Sequence, residues 1–369
     1  MYMKTIVFIV PSIDDSHYRN RIIEFIEKGY EVRVYGFCRC NKERNLPYSY
    51  KVLGNIENAS YSNRVRLYIQ SFNRLGKKYK DTLFYLCGLD IAMSFRFINP
   101  SHQYIYEECD LVHTYMGQVK YLLEWIDKRI IKKSLLTITT SEGFINYHFK
   151  GVKPDNVCLV ENKLNHNIIG YKIQEKSFDK DNLSIGFVGL PRFDSVYNFI
   201  DVYCRNFPQY TFHVFGGPVS DKFNTLKKYP NCKLHGFFNN PADLPEIYGT
   251  IDVVLSTYDT KYENVRYAEP NKIYESIYFE TPIIVSSNTF LAEKVKRLGI
   301  GFDIDAMSEV EIVNFVSSLN NEIVNAKSKA AKDIDKRNTL NINEHLFKCL
   351  EERLAQFGEY YRAAVKSQN

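Results

Sequence analysis

The first half of the chain alternates between two hydrophobic patterns. Short, nearly continuous apolar runs predict strands, and the clearest of them are KTIVFIV, EVRVYGF, DTLFYLC, QYIYEE and LLTITT. Between these runs, apolar residues recur at i, i+3 and i+4, as in SHYRNRIIEFIEKG, which predicts an amphipathic helix that ends at Gly29. Strand–helix–strand repeats of this length predict a parallel sheet with helices on both faces.

The pattern is interrupted at residues 166–182, which are polar and predict a linker. It resumes with LSIGFVG, YTFHVFGG, NCKLHGF, IDVVLSTY and PIIVSS as further strands. Near the C-terminus, HLFKCLEERLAQFGEYYRA has the apolar spacing of a long helix. We therefore expect an α/β protein with two doubly wound domains, 1–165 and 183–344, and a helix at about 345–369 that packs back on the first domain.

The composition is that of a globular protein, since 45% of the 369 residues are apolar and 25% are charged. No apolar run reaches the length of about 18 residues that a membrane-spanning helix needs. The short apolar stretch near the N-terminus predicts a first strand rather than a signal peptide. The eight cysteines are scattered without the spacing of a zinc site. Together these features indicate a protein of the reducing cytoplasm.

Positive charge is concentrated in the first half of the chain. Residues 1–180 carry 27 Lys and Arg against 19 Asp and Glu, whereas the remainder carries 21 against 24. The excess is densest in 63–80, an amphipathic stretch without an acid, and in 128–133. Such segments are either solvated helix faces or contacts for an anionic membrane surface, and we expect peripheral membrane contact there. Nucleic-acid binding is not expected, because no recognised module accompanies the charge.

One predicted helix in the second half carries a carboxylate inside its apolar body. Pro270 suits the first helical position, and the following NKIYESIY places Glu275 within an apolar stripe ahead of the strand IIVSS. The backbone N–H groups of Asn271 and Lys272 form an anion site at the helix start. Glu275 can then accept hydrogen bonds from both ribose hydroxyls of a nucleotide whose phosphates bind at the helix start. The alternative is a solvated glutamate at the rim of a helix.

Two other strands of the second half end in glycine. Gly189 and Arg192 follow SIGFV, and Gly216 follows TFHVF. Ligands of open parallel sheets bind beyond the carboxyl ends of the strands. Gly189 would let the backbone approach a phosphate, and Arg192 would hold that phosphate with two hydrogen bonds. The alternative is an ordinary glycine-containing turn beside a surface arginine.

The segment PNKIYE at 270–275, followed by ETPIIVS at 280–286, resembles the donor-binding motif of the group-1 (family four) glycosyltransferases with the GT-B fold. The strands IDVVL and KLHGFF also resemble that family, so the resemblance covers most of the chain. It implies two Rossmann-like domains with a cleft between them, and it assigns site residues by position. It places Glu275 on the ribose, Asn271, Lys272 and Arg192 on the phosphates, and Gly236 and Phe237 near the base.

Two positions depart from the family pattern. Tyr267 stands eight residues before Glu275, where many members have a glutamate that contacts the transferred sugar. Tyr197 stands where many have a lysine in the phosphate site. Tyr267 therefore enters the predicted donor site in place of the glutamate, and the donor sugar stays open.

The first domain is expected to hold the acceptor and any catalytic base. His17 lies in the first predicted strand–helix loop, and Glu108 and His113 follow the strand QYIY, so all three lie at carboxyl ends of strands. Group-1 enzymes often have an acidic residue or a histidine after that second strand. The alternatives are a solvated helix start at His17, capped by Asp14 or Ser16, and an ordinary loop histidine at His113.

The resemblance favours a retaining transfer, in which the departing diphosphate takes the acceptor proton and the protein positions both substrates. No metal and no cofactor is expected. The three D-x-D sequences, at 179–181, 303–305 and 333–335, do not follow a strand in an N-terminal nucleotide-binding half, so we interpret them as chance. An inverting enzyme would need a general base. The candidates for that base are Asp14, Asp15, His17 and Glu108.

The sequence thus predicts a cytoplasmic, metal-independent glycosyltransferase, working at the inner face of the membrane. It would move a sugar from a nucleotide diphosphate donor to a glycan or lipid-linked glycan of a surface polysaccharide. A nucleotide-sugar epimerase of the same architecture and a catalytically silent sugar-nucleotide-binding subunit are the alternatives. A dinucleotide dehydrogenase is disfavoured, because no G-x-G-x-x-G follows the first strand of either half.

Overall fold

The computed structural model describes residues 5–13, 15–38, 46–56, 61–173 and 178–366. It divides into two compact domains, one formed by Met1–Val160 with Asn343–Asn369 and the other by Glu161–Ile342. The C-terminal segment is therefore part of the first domain. The expected linker, 166–182, falls within the second, where Ile168 is fully buried. Asp14, one of the alternative bases, lies outside the described residues.

The first domain is built on a parallel sheet. Its strands are β1 (Thr5–Val10), β2 (Glu31–Cys38), β3 (Tyr50–Asn55), β4 (Leu83–Cys87), β5 (Tyr104–Glu108), β6 (Leu136–Thr139) and β7 (Val157–Leu159), in the order β3-β2-β1-β4-β5-β6-β7. Its helices are α1 (Ser16–Glu27), α2 (Tyr61–Lys78), α3 (Leu89–Ile98), α4 (Lys120–Lys133), α5 (Glu142–Phe149) and the C-terminal helix (Glu344–Lys366). Two short 3₁₀ turns, Val112–Tyr115 and Gly117–Val119, precede α4.

Side chains alternate between the two faces of this sheet and fill two apolar cores. One core joins the strands to α1 and the C-terminal helix, and the other joins them to α2, α3, α4 and α5. Central residues of the first core are Phe8, Phe25, Tyr85 and Leu350, and those of the second are Phe72, Phe84, Phe95 and Tyr104. The strands are buried on both faces, which explains their continuous apolar runs.

The second domain repeats this plan with six parallel strands. They are β8 (Ser184–Val188), β9 (Thr211–Phe215), β10 (Cys232–Gly236), β11 (Val253–Ser256), β12 (Ile283–Ser286) and β13 (Gly301–Ile304), in the order β10-β9-β8-β11-β12-β13. Its helices are α6 (Asp194–Asn206), α7 (Asp221–Asn224), α8 (Leu244–Thr250), α9 (Glu263–Tyr267), α10 (Lys272–Tyr278), α11 (Phe290–Leu298), α12 (Glu309–Ser318) and α13 (Asn321–Lys332). The C-terminal helix is accordingly α14. The fold class predicted from the sequence is confirmed.

Local sequence signals set several helix ends. The Asp15 carboxylate accepts a hydrogen bond from the His17 amide at 2.9 Å and caps α1, and the Thr289 hydroxyl caps α11 at 3.1 Å. Gly299 ends α11 in a left-handed conformation with φ of 71°. Within the described residues, no helix combines the length and the apolar character needed to cross a bilayer.

Candidate functional site

Three predicted glycines meet at the carboxyl edge of the second sheet. The Gly189 amide donates to the Phe215 carbonyl at 2.8 Å, and the Gly216 amide donates to the Gly236 carbonyl at 2.7 Å. A Cβ atom on Gly216 would lie 1.9 Å from the Gly189 carbonyl oxygen, and φ at Gly216 is 137°. Only glycine therefore fits where the loops after β8 and β9 touch. The sequence correctly located these residues at strand ends, and the structure brings them together.

Arg192 lies just beyond this edge with an exposed side chain. Its guanidinium lies 4.9 Å from the centroid of the Phe193 ring, and within the described part of the chain it forms no hydrogen bond or ion pair. The start of α6 behaves differently, because the Asp259 carboxylate accepts from the Asp194 and Ser195 amides at 3.2 and 2.8 Å. An incoming phosphate would therefore meet the Arg192 cation rather than these amides.

Phe237 directly follows β10, and Tyr267 lies in the segment between β11 and β12. The Phe237 side chain is 79% exposed, and a Cβ atom on Gly217 would lie 3.3 Å from its ring. An exposed aromatic ring of this kind offers a flat surface for a nucleobase. Tyr267 is the last residue of α9 and is partly buried.

Glu275 is enclosed, with an exposed fraction of 1%, and both of its oxygens have partners. Oε1 accepts from the Asn271 amide nitrogen Nδ2 at 2.8 Å and from the Lys272 ammonium at 2.8 Å. Oε2 accepts from the same ammonium at 2.8 Å and from the Tyr248 hydroxyl at 2.7 Å. A buried carboxylate is tolerated when it is paired and hydrogen-bonded in this way. A solvated glutamate at a helix rim, the alternative left open by the sequence, does not describe this residue.

The partners of Glu275 differ from those that the resemblance implies. Lys272 was expected at the diphosphate, but its ammonium lies on the carboxylate one turn further along the helix. Tyr248 on α8 is a partner that the motif does not include. Burial and the neighbouring Glu275 charge raise the pKa of Tyr248 well above its usual value, so the hydroxyl keeps its proton and stays a donor.

A second buried ion network lies at the start of the loop that precedes α10. The Lys294 ammonium contacts Glu269 at 2.6 Å and Glu161 at 2.9 Å, and the Tyr274 hydroxyl also donates to Glu269. Burial alone would raise the pKa of Glu161, but Lys294 and Lys163 outweigh it and lower the pKa to about 2. At Glu269 burial is stronger than the pull of Lys294, and its pKa is raised. This network therefore joins Glu269, in the loop 268–271, to Lys294 of α11 and Tyr274 of α10.

In the first domain, Glu107 at the end of β5 organises the residues around His17. Its carboxylate lies 3.0 Å from His17 Nε2 and 3.3 Å from the Arg21 guanidinium, and it accepts from the Tyr85 hydroxyl at 2.7 Å. Burial would raise the pKa of Glu107, but Arg21 and His17 outweigh it and lower the pKa to about 2. Glu107 is therefore a fixed negative charge beside an imidazole.

His17 retains an exposed side chain fraction of 25%. Its Nε2 atom also lies 3.3 Å from the Cys109 sulfur. Burial lowers the pKa of His17, but the contacts with Cys109 and Glu107 outweigh it and raise the pKa well above the usual value. Because burial also raises the pKa of the Cys109 thiol, Glu107 is the partner that carries charge at neutral pH. The Glu107 carboxylate therefore favours the protonated form of His17, whose side chain is partly open to solvent.

Glu108 and His113, the other two catalytic candidates, are inside the first domain. Successive strand residues point to opposite faces, so Glu108 faces α4 and α5 while Glu107 faces α1. Glu108 lies 2.7 Å from His148, and His113 lies 3.4 Å from Asp127. The exposed fractions of Glu108 and His113 are 2% and 0%, so both side chains are enclosed within the first domain. Burial and the nearby Asp127 raise the pKa of Glu108 to about 8.

The sequence did not identify several residues that organise these sites. Arg21 had a usable signal, because His17 and Arg21 are four residues apart and share one face of α1. Glu107 was also within reach, since strand alternation allows only one of Glu107 and Glu108 to face that helix. Tyr248 and Lys294 carried no local signal, because their partners lie far away in sequence.

No protein-family model matches the sequence, and no curated protein matches it. Solved structures do match over nearly the whole chain. Sucrose-phosphate synthase from Thermosynechococcus elongatus superposes with a TM-score of 0.69 at 13% identity, covering 98% of this chain and 99% of its own. The Anabaena protein HepE in complex with UDP and glucose gives 0.65 at 16% identity, covering 95% and 100%.

The fold is not restricted to transferases. A UDP-N-acetylglucosamine 2-epimerase superposes with a TM-score of 0.58 at 12% identity, covering 92% of this chain and 94% of its own. Identities this low establish the architecture and leave the chemistry to the site residues. The two parallel sheets, their strand orders and these superpositions together show that the chain has the GT-B fold.

Proposed function

We propose that the chain is a hexosyltransferase that moves a sugar from a nucleoside diphosphate donor to a glycan or lipid-linked glycan in surface polysaccharide synthesis. The observation that carries this proposal is Glu275, a buried carboxylate held beside Asn271 and Lys272 on the helix of the donor motif. The GT-B fold supports it, since HepE with this fold is known in complex with UDP and glucose.

The donor would be held by the second domain. Glu275 would accept from the ribose hydroxyls, and Arg192 would bind the diphosphate. Lys272 would leave Glu275 and turn to the same phosphates, because the ribose hydroxyls replace its hydrogen bonds. The exposed ring of Phe237 would stack on the base, near Gly236. Arg192 and Lys272 would stabilise the negative charge of the leaving diphosphate, so we propose that transfer needs no metal ion.

The first domain would bind the acceptor and present His17 to the reacting groups. The Glu107 carboxylate favours the imidazolium form of His17, which would donate a hydrogen bond to an anionic oxygen of the bound substrate. This role suits a retaining transfer, in which no protein base is required. An inverting transfer is the second candidate. It requires a general base, and His17, oriented by Glu107, would be that base.

The acceptor would be presented at the cytoplasmic face of a membrane. Helix α4 exposes Tyr121, Leu122 and Trp125 by 77%, 58% and 52%, and the same outer face continues with basic residues. Those basic residues are Lys128, Arg129, Lys132 and Lys133. Aromatic and aliphatic side chains beside lysines are the pattern of helices that lie in a bilayer interface. On α2, Ile69 is 51% exposed next to Arg66.

Incubation of the purified chain with a panel of nucleoside diphosphate sugars, a lipid-linked acceptor extract and EDTA tests the proposal. Sugar transfer that persists in EDTA is expected. Conversion of the donor sugar without any acceptor would instead indicate an epimerase. Nucleotide binding without turnover of any donor would indicate a silent binding subunit. Dependence of transfer on added divalent metal, in a chain whose circular dichroism is unchanged by EDTA, would contradict the metal-independent mechanism.

A further inference from the structure

Four side chains of metal-ligand type converge inside the first domain, whereas the donor motif belongs to the second. Glu108 ends β5, His113 lies in the 3₁₀ turn after it, Asp127 is on α4, and His148 is on α5. We refer to these four as the carboxylate–histidine cluster. Their side chains are between 0% and 2% exposed. The donor atoms of Glu108, Asp127 and His148 all lie within 4.8 Å of one another.

The spacing of the cluster is close to that of a four-coordinate ion site. His148 Nε2 lies 2.7 Å from Glu108 Oε1 and 3.9 Å from Asp127 Oδ2, and His113 Nδ1 lies 3.4 Å from the same Asp127 oxygen. Ligands about 2.0–2.2 Å from a tetrahedral ion are about 3.4 Å apart. The three separations differ from this value by about 0.7 Å or less. His113 is not among the three residues whose donor atoms all lie within 4.8 Å of one another, so its side chain must move further to complete the site.

The charge of the cluster differs from that of the neighbouring group around Glu107. The Glu107 carboxylate is compensated by the Arg21 guanidinium at 3.3 Å. In the part of the chain that the structure describes, no lysine or arginine forms an ion pair with Glu108 or Asp127. Glu108 and Asp127 are thus paired with histidines only, and buried carboxylates in proteins are paired or bind metals.

An unpartnered nitrogen points into the cluster. His113 is fully buried, and its Nδ1 atom faces Asp127 without forming a hydrogen bond to any described residue. Its other nitrogen, Nε2, lies 3.4 Å from the Tyr147 hydroxyl, and the Tyr106 hydroxyl donates to Asp127 Oδ1 at 2.9 Å. Outer partners of this kind orient the ligands of metal sites. Asp127 Oδ2 and His113 Nδ1 are thereby left as inner donors.

We propose that the carboxylate–histidine cluster binds one divalent transition-metal ion, through Glu108, His113, Asp127 and His148. Two imidazoles with two carboxylates match Zn²⁺ best, whereas Ca²⁺ and Mg²⁺ prefer oxygen ligands alone. With four protein ligands in a closed interior, the ion is structural. It ties the turn 112–115, α4 and α5 to the end of β5. The proposal is independent of sugar transfer and of the donor site.

Metal content and spectroscopy of the full chain test this site. The protein is stripped with a chelator, loaded with ZnCl₂, passed through a desalting column and analysed by elemental mass spectrometry. One zinc per chain and a raised thermal unfolding temperature are expected. Asp127→Asn and His113→Gln, which keep size and shape, should each lose the retained zinc and weaken its affinity more than about 10-fold. Circular dichroism confirms that each variant is folded.

Cys109→Ser is the matched control, because His17, Glu107 and Cys109 form the other donor cluster of the described chain. It should retain one zinc. Replacement by Co²⁺ should give the absorption of four-coordinate cobalt without a thiolate charge-transfer band, since the cluster contains no sulfur. The proposal is overturned if the wild-type chain retains no zinc or cobalt, if folded Asp127→Asn and His113→Gln retain it fully, or if Cys109→Ser loses it.

Discussion

The Lys272 ammonium contacts both carboxylate oxygens of Glu275, at 2.8 Å each, inside the second domain. The carboxylate that would bind the donor ribose is therefore already neutralised within its own helix. A ribose can replace the two hydrogen bonds of the ammonium but not its charge, so the diphosphate must attract Lys272 as the ribose arrives. The nucleoside and diphosphate parts of the donor are thus expected to bind cooperatively.

Removal of the Glu275 side chain should weaken nucleotide binding. Hydrogen bonds to a charged group contribute about 1.5–3 kcal/mol, so Glu275→Ala should weaken the affinity for UDP by roughly 10- to 150-fold. Isothermal titration calorimetry of the folded variant measures this. Glu246→Ala, an exposed glutamate on α8, is the control and should bind UDP normally. Equal affinity of Glu275→Ala and wild type would rule out ribose binding by Glu275.

Replacement of Lys272 alone should lower the free energy of unfolding more than replacement of both Lys272 and Glu275. Lys272→Met leaves the Glu275 carboxylate buried without its cation, which typically costs about 3–5 kcal/mol. Lys272→Met combined with Glu275→Gln should recover most of that free energy of unfolding. Hydrogen exchange of the 272–278 segment measures it, with α3 of the first domain as the internal reference. A double variant no more protected than Lys272→Met would contradict coupling of the two side chains.

The Glu161–Lys294 ion pair should make the second domain sensitive to acid. Glu161 has a pKa of about 2 in the folded chain against an ordinary value of 4.5. Because the folded-state pKa is the lower one, the stabilisation is complete above about pH 5 and is lost as the pH falls from 4.5 towards 2. Its size is about 3 kcal/mol, and it is shared with Lys294 rather than added to it.

The difference between wild type and Glu161→Gln isolates this contribution. Hydrogen exchange of α11, which carries Lys294, should show a difference of about 3 kcal/mol at pH 6 that shrinks towards pH 2. Helix α3 serves again as the reference. A difference that stays constant with pH would mean that the Glu161 carboxylate is not stabilised by the ion pair.

The architecture was readable from the sequence because it rests on local patterns. Continuous apolar runs mark strands buried on both faces, as β4 and β8 are, and the helices between them carry an apolar stripe. The position of Glu275 on a short helix was readable for the same reason. Its surroundings were not, since Tyr248 lies 27 residues away and only the packing of α8 on α10 brings the hydroxyl to Oε2.

In the first domain, the position of a residue in the sequence does not show which side chain it contacts. Glu107 and Glu108 are adjacent and chemically identical, yet Glu107 meets His17 and Glu108 meets His148 on the opposite face. Which of the two faces α1 depends on the register of β5 against β4 and β6. Strand alternation shows that only one of the two faces α1 but not which one, so the sequence names Glu108 as a catalytic candidate, whereas the structure makes Glu107 the partner of His17.

His17 should act as a cation whose charge is set by Glu107. If the imidazolium binds an anionic oxygen of the substrate, kcat/KM should fall as the pH rises through the raised pKa of His17. Glu107→Gln removes the negative charge and lowers that pKa, so the fall should move to lower pH. Arg21 keeps Glu24 as a partner at 2.7 Å in this variant, which limits structural damage.

Two measurements check this role. The pH dependence of kcat/KM compares wild type, Glu107→Gln and His17→Gln, and the last should be slower at neutral pH and lack the alkaline fall. Nuclear magnetic resonance of the first-formed product should show retained anomeric configuration. A rate that instead rises with pH through the pKa of His17, together with an inverted product, would identify His17 as a general base.

The exposed face of α4 should bind anionic bilayers. Trp125 is the only tryptophan of the chain and is 52% exposed, so its fluorescence should shift to shorter wavelength with vesicles of phosphatidylcholine and phosphatidylglycerol. Vesicles of phosphatidylcholine alone, or high salt, should give little shift, because the lysines need anionic lipid. Lys132→Gln with Lys133→Gln should weaken binding by about 2 kcal/mol, or roughly 30-fold.

The apolar part of the same face is tested separately. Leu122→Ser should weaken vesicle binding while Trp125 continues to report it, because burial of a leucine side chain contributes about 1.5–3 kcal/mol. Phe97→Ser is the matched control, since Phe97 is 88% exposed on α3 of the same domain. Equal losses from Leu122→Ser and Phe97→Ser would indicate general hydrophobic adsorption. A wild-type chain that does not bind anionic vesicles at low salt would contradict membrane contact through α4.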